Sequence, residues 1–436
     1  MTDAPPPTVA AGSSHPIPSP RRAAIPIGIQ RWLSAFTALL VIGLAIDTVV
    51  RAGPHQFGNR RWGTEINHTD FTVYRLAGRA VLDETDIYQV RNDRGWAYVY
   101  PPPFAIAMVP FAGMSVFWGA LIWYLLSAAL IAWASLLCVR MVRNAGGADA
   151  DPFTLTAIPL LLLMIWIMSG LTRGQASIAM FWLTMAAIHW QRAGRNILGA
   201  ACLAGAVLLK VFPVALLGYF LWRKKWRFVT ATIAAILVGA FVLPAAVFGW
   251  QKNIRYLKAW VREVAFPSVA SESGRAENPL NEQLLSWGKP RNQSLPAVLF
   301  RLVGGPAARP LSAAISLGML GAIWLVGRRL PPDSELLILS AFLVWLLLVP
   351  PVSESHYFLL LFLPLAELTA IALREVERKK PGMILVVLAA FVVSSVVALV
   401  FPRLQLYGQL CWASLLVWAA LLAVATRAKA GPTSDP

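Results

Sequence analysis

Residues 70–103 read DFTVYRLAGRAVLDETDIYQVRNDRGWAYVYPPP, a polar stretch set between apolar ones. Before it, residues 32–50 (from WLSAF to DTVV), and after it, residues 116–139, are each long and apolar enough to cross a hydrocarbon core of about 30 Å. Polar chain between two such crossings has to lie outside the hydrocarbon, so the sequence reads as an all-α polytopic membrane protein whose chemistry starts in this loop. Asp70 opens a helical pattern in which Phe71, Tyr74, Gly78 and Val81 share one face and Arg75 and Arg79 another, as suits a membrane interface. An aspartate just before a helical run is also a common N-cap, and position alone does not decide between capping and catalysis.

Composition supports the membrane reading. Of 436 residues, 58% are hydrophobic and only 14% charged, too few charges to clothe a soluble domain of this size. The net charge of +17 comes from short basic clusters between apolar windows, which fit cytoplasmic loops and membrane-lipid phosphates better than nucleic acid. No basic face with interleaved aromatics occurs, so no nucleic-acid partner is expected. Cys138, Cys202 and Cys411 all fall in apolar windows and suggest no disulfide framework. His15, His55, His68, His189 and His356 show no zinc-type spacing, and Glu65, Asp83, Glu84, Asp86 and Asp93 read as polar turns. Neither a metal nor another cofactor is expected.

Working outward from the 70–103 stretch, the basic residues orient the chain. Residues 1–30 read as a disordered cytoplasmic tail without a cleavable signal peptide, and Arg21, Arg22 and Arg31 keep that end inside. The first outer loop then spans about 51–115, with residues 104–114 too short to cross and dipping into the membrane edge. Residues 116–139 return to Arg140 and Arg143, residues 154–171 go out, and Arg173-Gly174-Gln175 turns the chain towards Arg192 and Arg195. Only 27 residues separate Arg195 from the basic RKKWR at 223–227. Two short passes meeting near Lys210 and Pro213 keep both flanks inside, with a turn reaching about 20 Å along the normal at 1.5 Å per residue. A second outer loop, about 250–295, follows the crossing at 228–249. Within residues 296–327 the GGPAARP sequence divides a short piece from a full crossing. Residues 334–350 and 357–373 flank the turn SESHYF, and two more passes, about 383–401 and 405–426, lead to a cytoplasmic tail at 428–436. The result is one transmembrane domain over 31–427, with about twelve passes.

This topology gathers Asp70, Tyr98 to Pro103, Arg173-Gly174-Gln175, Lys210, Asn292-Gln293-Ser294 and Glu354-Ser355-His356 on the outer side. Polar residues at bilayer depth are rare unless they face a cavity and have partners. Lys210, inside LLKVFP, should cost about 3 kcal/mol unless paired or wet. Gln175 could instead solvate a turn, and His356 could cap a helix start. Asn67-His68-Thr69 and Asn292-Gln293-Ser294 also match glycosylation sequons, a pattern common by chance. His189 reads as an ordinary boundary residue.

Taken in order, TDFTVYRLAG, DIYQ, YVYPPP, RGQAS, LLKVFP, RNQSL and SESHYFLLLFLPL resemble glycosyltransferase family 87, bacterial polyprenyl-phosphate-mannose-dependent mannosyltransferases of the GT-C fold. The resemblance runs from about residue 30 to residue 375. It implies an inverting transfer of a hexose, in the first instance mannose, from a polyprenyl-phosphate sugar to a hydroxyl of a glycolipid or glycan acceptor. That chemistry would occur on the extracytoplasmic face of the plasma or inner membrane. The resemblance carries a catalytic role onto Asp70 and His356, with Lys210, Gln175 and Asn292 at motif positions. Attack on an anomeric carbon needs a base and a means of holding the departing phosphate. Asp70 suits the base, while Lys210 or Arg173, with amides at Gln175, Asn292 and Gln293, suits the phosphate. His356 could donate to that phosphate or assist the base. Trp96, Tyr98, Tyr100 and Tyr357 could seat sugar or prenyl chain. A transporter or flippase of a lipid-linked sugar is the alternative reading of the same pattern.

Overall fold

The computed structural model describes residues 70–265 and 287–429, with 280 and 283, apart from 94, 148–149, 329, 331–333 and 378–381. The tail at 1–30, the crossing at 32–50, the loop arm before Asp70, most of the second outer loop beyond residue 265 and the end of the last tail lie outside the described residues.

Regular structure among the described residues is helical, joined by short turns and two isolated bridges. Helix α1 (Asp70–Leu82) precedes two short helices, α2 (Pro102–Ala107) and α3 (Val109–Ala112), which occupy the segment read as dipping into the membrane edge. Then come α4 (Val116–Val142), α5 (Pro152–Arg173), α6 (Ser177–Arg192) and the pair α7 (Asn196–Leu209) and α8 (Ala215–Trp222). A broken helix follows, α9 (Trp226–Leu237) and α10 (Leu243–Phe248) joined by a π-helical turn, and then α11 (Trp250–Trp260). The rest comprises α12 (Leu295–Val303), α13 (Gly305–Gly327), α14 (Glu335–Leu348), a 3-10 turn (Ser355–Leu361), α15 (Phe362–Glu377), α16 (Met383–Val400) and α17 (Gln409–Lys429).

Local sequence sets the boundaries. Ser115 and Asp151 cap α4 and α5 by accepting from the amides of Trp118 and Thr154, and Gly174 ends α5 in the left-handed region at φ 63°. Among the described residues six helical stretches are long and apolar enough to cross a membrane, and four shorter apolar helices accompany them, so the protein is multi-pass. The short pair expected around Lys210 is present: α7 is 14 residues long, about 21 Å, and the chain turns immediately after it.

Burial separates the inner helices from the lipid-facing ones. In the Ser355–Val376 stretch 89% of the span is buried, against 22% in Trp226–Phe248 and Gly305–Gly327, so the first runs through the bundle and the others line its outside. A second core sits beside the bundle, where Phe71 and Tyr74 of α1 pack with Tyr98, Tyr100, Phe104 and Trp123. Its rings meet at centroid distances of 5.0 to 6.5 Å, mostly edge-on or tilted, the arrangement that aromatic quadrupoles favour. Far from this cluster, at the opposite end of α6, Glu335 accepts from Arg223 at 3.2 Å and lies 3.9 Å from Arg192, tying the ends of α6, α8 and α14.

Helix α1 reaches the α2–α3 backbone through Gly78, where an added Cβ would stand 2.5 Å from the Met108 carbonyl oxygen. That neighbour is backbone and cannot swing aside. Gly78→Ala is therefore expected to lift α1 off its seat and destabilise the protein by about 1–3 kcal/mol. Thermal unfolding in detergent measures it, and an unchanged midpoint would show that the contact yields.

Candidate active site

The first turn of α1 places Asp70 in the interior, 6% exposed, although it is a carboxylate. Its Oδ2 accepts from the side-chain amide of Gln175, which is buried to the same degree. Gln175 reaches it because Gly174 turns the chain just before. A Cβ on Gly174 would lie 2.9 Å from the Phe71 Cβ, and its carbonyl oxygen accepts from the Trp123 indole at 3.0 Å. Left-handed backbone and close approach together explain the glycine. Gln175 Oε1 is buried without a hydrogen-bond partner among the described residues, an acceptor the protein leaves unmatched.

One helical turn after Asp70, the Tyr74 hydroxyl shares a 2.8 Å hydrogen bond with that of Tyr100. Burial pushes the Tyr74 phenol well above its ordinary range, and the nearby Tyr100 and Asp70 add to the effect. Burial likewise raises Tyr100, on which the charges of Lys210, Asp70 and Glu354 all act. Both phenols are therefore neutral hydrogen-bonding groups standing between the acid and the cation.

The cation comes from the end of α7. Lys210 is extended (φ −144°, ψ 122°), which breaks the helix and frees its side chain from the helical row. Its Nζ donates to the Tyr357 hydroxyl at 2.8 Å and lies 4.5 Å from the Tyr357 ring centroid and 5.3 Å from that of Tyr100. Burial works against the ammonium, while the two tyrosines and Glu354 support it. His356, 1% exposed, enters from the 3-10 turn, and the charges of Lys210 and Arg173 reach it. Glu354 Oε2 lies 3.3 Å from His356 Nδ1.

The remaining expected residues lie behind this cluster. Asn292, fully buried, donates to the Pro351 carbonyl at 2.9 Å and accepts from the amide of Ser353 at 3.0 Å. The Gln293 side chain donates to the carbonyls of Pro290 and Gln405, and its backbone amide to Ser353. These amides form a strap holding residues 351–354, and their donors are engaged by backbone. Such burial also leaves no access to Asn292 as a glycosylation acceptor. Tyr74 and Glu354 join the cluster without having been assigned a role from the sequence. Signals existed for both: Tyr74 follows Asp70 at i+4, and Glu354 precedes His356 by two residues in SESHYF.

No group of three or more histidine, cysteine or acidic side chains that could hold a metal ion occurs among the described residues. A groove of about 760 Å³ opens at the far end of α1, lined by Val81, Leu82, Ile106, Val109, Val247 and Phe248 together with the polar Glu84. Lys252 stands at its rim and donates to the Glu84 carbonyl.

Comparison with known proteins adds three findings. Residues 98–353 match the family model described as Glycosyltransferase family 87. Tyr100, Arg173, Gln175, Lys210, Asn292 and Gln293 lie within the match, whereas Asp70 and His356 lie outside it, before its start and just after its end. The chain is 26% identical over 354 residues to the polyprenol-phosphate-mannose-dependent alpha-(1-2)-phosphatidylinositol mannoside mannosyltransferase of Mycolicibacterium smegmatis, covering 73% of each. Among solved structures it is similar to ArnT from Cupriavidus metallidurans bound to undecaprenyl phosphate, with TM-score 0.42, 14% identity, and coverage of 92% of this chain and 78% of that one.

Proposed function

Because the chain belongs to glycosyltransferase family 87, we propose that it transfers a hexose, mannose in the first instance, from a polyprenyl-phosphate sugar to a glycolipid or glycan hydroxyl. The observation that carries this reading is the juxtaposition of a buried carboxylate, Asp70, with a cation, Lys210, across a pair of neutral tyrosines. In the reaction the acceptor oxygen attacks the anomeric carbon and gives its proton to Asp70. The bond from that carbon to the phosphate oxygen breaks on the opposite face, and the polyprenyl phosphate leaves with the electron pair, so the anomeric centre inverts. Gln175 orients the base. Lys210 and Arg173 oppose the charge that grows on the phosphate, and His356 assists the base. The strap at Asn292 and Gln293 holds the turn that carries His356, and the groove beyond α1 suits an isoprenoid or acyl chain.

The donor preference of the mycobacterial relative supports mannose on a polyprenol phosphate. The experiment is transfer by purified protein in liposomes with EDTA present, offering polyprenyl-phosphate mannose and a nucleotide sugar in parallel. A new glycoside from the lipid donor is expected. Product from the nucleotide sugar alone would overturn the donor assignment, and donor crossing the vesicle without a new glycoside would favour a transporter.

Sidedness follows from the basic clusters, and we place the reaction on the extracytoplasmic face. In a variant without native cysteines, Asp93→Cys is expected to react with an impermeant thiol reagent in intact cells and Lys225→Cys only after lysis. The reverse pattern would turn the protein over in the membrane.

A further inference from the structure

His356 is a buried imidazole with two roles open to its two nitrogens, and both lack a hydrogen bond in good alignment among the described residues. The groups around it can be named element by element. Helix α5 contributes Arg173 and, at Gly170, a surface so close that an added Cβ would stand 3.7 Å from the His356 Cβ. Ile178 of α6 packs at the same glycine and brings no charge. The α7 end brings Lys210, and the 3-10 turn itself brings Tyr357, whose ring lies edge-on at 4.8 Å. Two cations thus act on the ring, and the carboxylate that the described residues bring to it is Glu354, 3.3 Å from Nδ1.

Glu354 is held for such a task. Its carbonyl accepts from the Tyr357 amide at 2.8 Å, and its backbone bridges to buried Asn292, which also accepts from the neighbouring Ser353 amide. The carboxylate therefore sits on anchored backbone, with a side chain 19% exposed. At 3.3 Å the pair is within bonding distance but off line. A turn of the imidazole about χ2, a broad torsion in histidine, aligns it.

We propose that Glu354 is the positioning residue of His356: its carboxylate accepts a hydrogen bond from Nδ1–H, which fixes the tautomer and leaves Nε2 unprotonated, an acceptor on the substrate side that can assist the base. The second half of this statement rests on the transferase reading above; the first does not. Neutral histidine in water favours the proton on Nε2, so an Nδ1–H tautomer inside the protein needs an acceptor at Nδ1, and Glu354 is in place to be it.

The test uses full-length protein in nanodiscs with nitrogen-labelled histidine, the His356 resonances being assigned by His356→Gln. Wild type is expected to show the Nδ1–H pattern, and Glu354→Ala to shift at least about half of the population towards Nε2–H at unchanged thermal stability. Glu354→Gln, whose side-chain carbonyl can still accept, is expected to restore the wild-type pattern. In the transfer assay Glu354→Ala should lower kcat about ten- to a hundredfold with little change in donor KM, and Gln should recover most of it. If Glu354→Ala unfolds, the comparison of Gln with wild type still decides by tautomer. Persistence of Nδ1–H in folded Glu354→Ala, or an Nε2–H pattern in wild type or in Glu354→Gln, would overturn the proposal. A tautomer that responds as expected in a protein without transfer activity would retain the Glu354 assignment and discard the transferase reading instead.

Discussion

Asp70→Asn is expected to insert and fold like the wild type and to lose at least about a hundredfold in turnover. The substitution keeps the volume of the side chain and an oxygen for the Gln175 amide, so the contact that seats α1 against the Gly174 turn can survive. What disappears is the capacity to take a proton. A helix cap would be replaced almost without loss, because asparagine caps as well as aspartate does. Turnover in liposomes, normalised to folded protein by gel filtration, separates the two roles. Activity within a few fold of wild type would make Asp70 a cap and move the base elsewhere.

Lys210→Met is expected to raise the donor KM about ten- to a hundredfold and to leave the acceptor KM within about twofold, which is the loss of one charge-assisted hydrogen bond to a phosphate. Methionine keeps the length of the stem, and its sulfur packs acceptably against the rings of Tyr100 and Tyr357 that now surround the ammonium. The variant therefore removes charge while leaving the α7 turn filled. Measuring both Michaelis constants in one reconstitution gives the answer, and equal donor use in variant and wild type would remove Lys210 from phosphate binding.

Much of this arrangement could be read before any coordinates because its causes are local. Apolar windows and arginine clusters locate helices, and the basic flanks at Arg195 and Arg223, which belong on one side, turn the interval between them into a pair of short passes. Lys210 stood out because an ammonium in LLKVFP has to be answered by a partner. The identity of that partner was not legible, since Tyr357 lies 147 residues away, and neither was the contact of Gln175 with Asp70 across 105 residues. Nothing in a single sequence specifies such pairings. Tyr74 was read by its ring, as one more member of an apolar face, whereas its hydroxyl carries the link to Tyr100. Asn292 and Gln293 were noticed for their polarity, but polarity does not reveal whether an amide faces a ligand or a neighbouring carbonyl. Here backbone engages them. Glu354 was named with its turn but given no role, because only the burial of its histidine neighbour shows what the acid faces.

The 27 residues of α4 span about 40 Å, some 10 Å more than a hydrocarbon core, so this helix leans or carries its ends into the head-group layers. Its Trp123 indole grips the Gly174 carbonyl, the hinge on which Gln175 meets Asp70. A change of tilt in α4 would reach the carboxylate through these two hydrogen bonds. On the proposed function, the thickness of the surrounding bilayer is then expected to bear on turnover through acyl-chain length, acting through a single indole rather than through any residue that touches sugar.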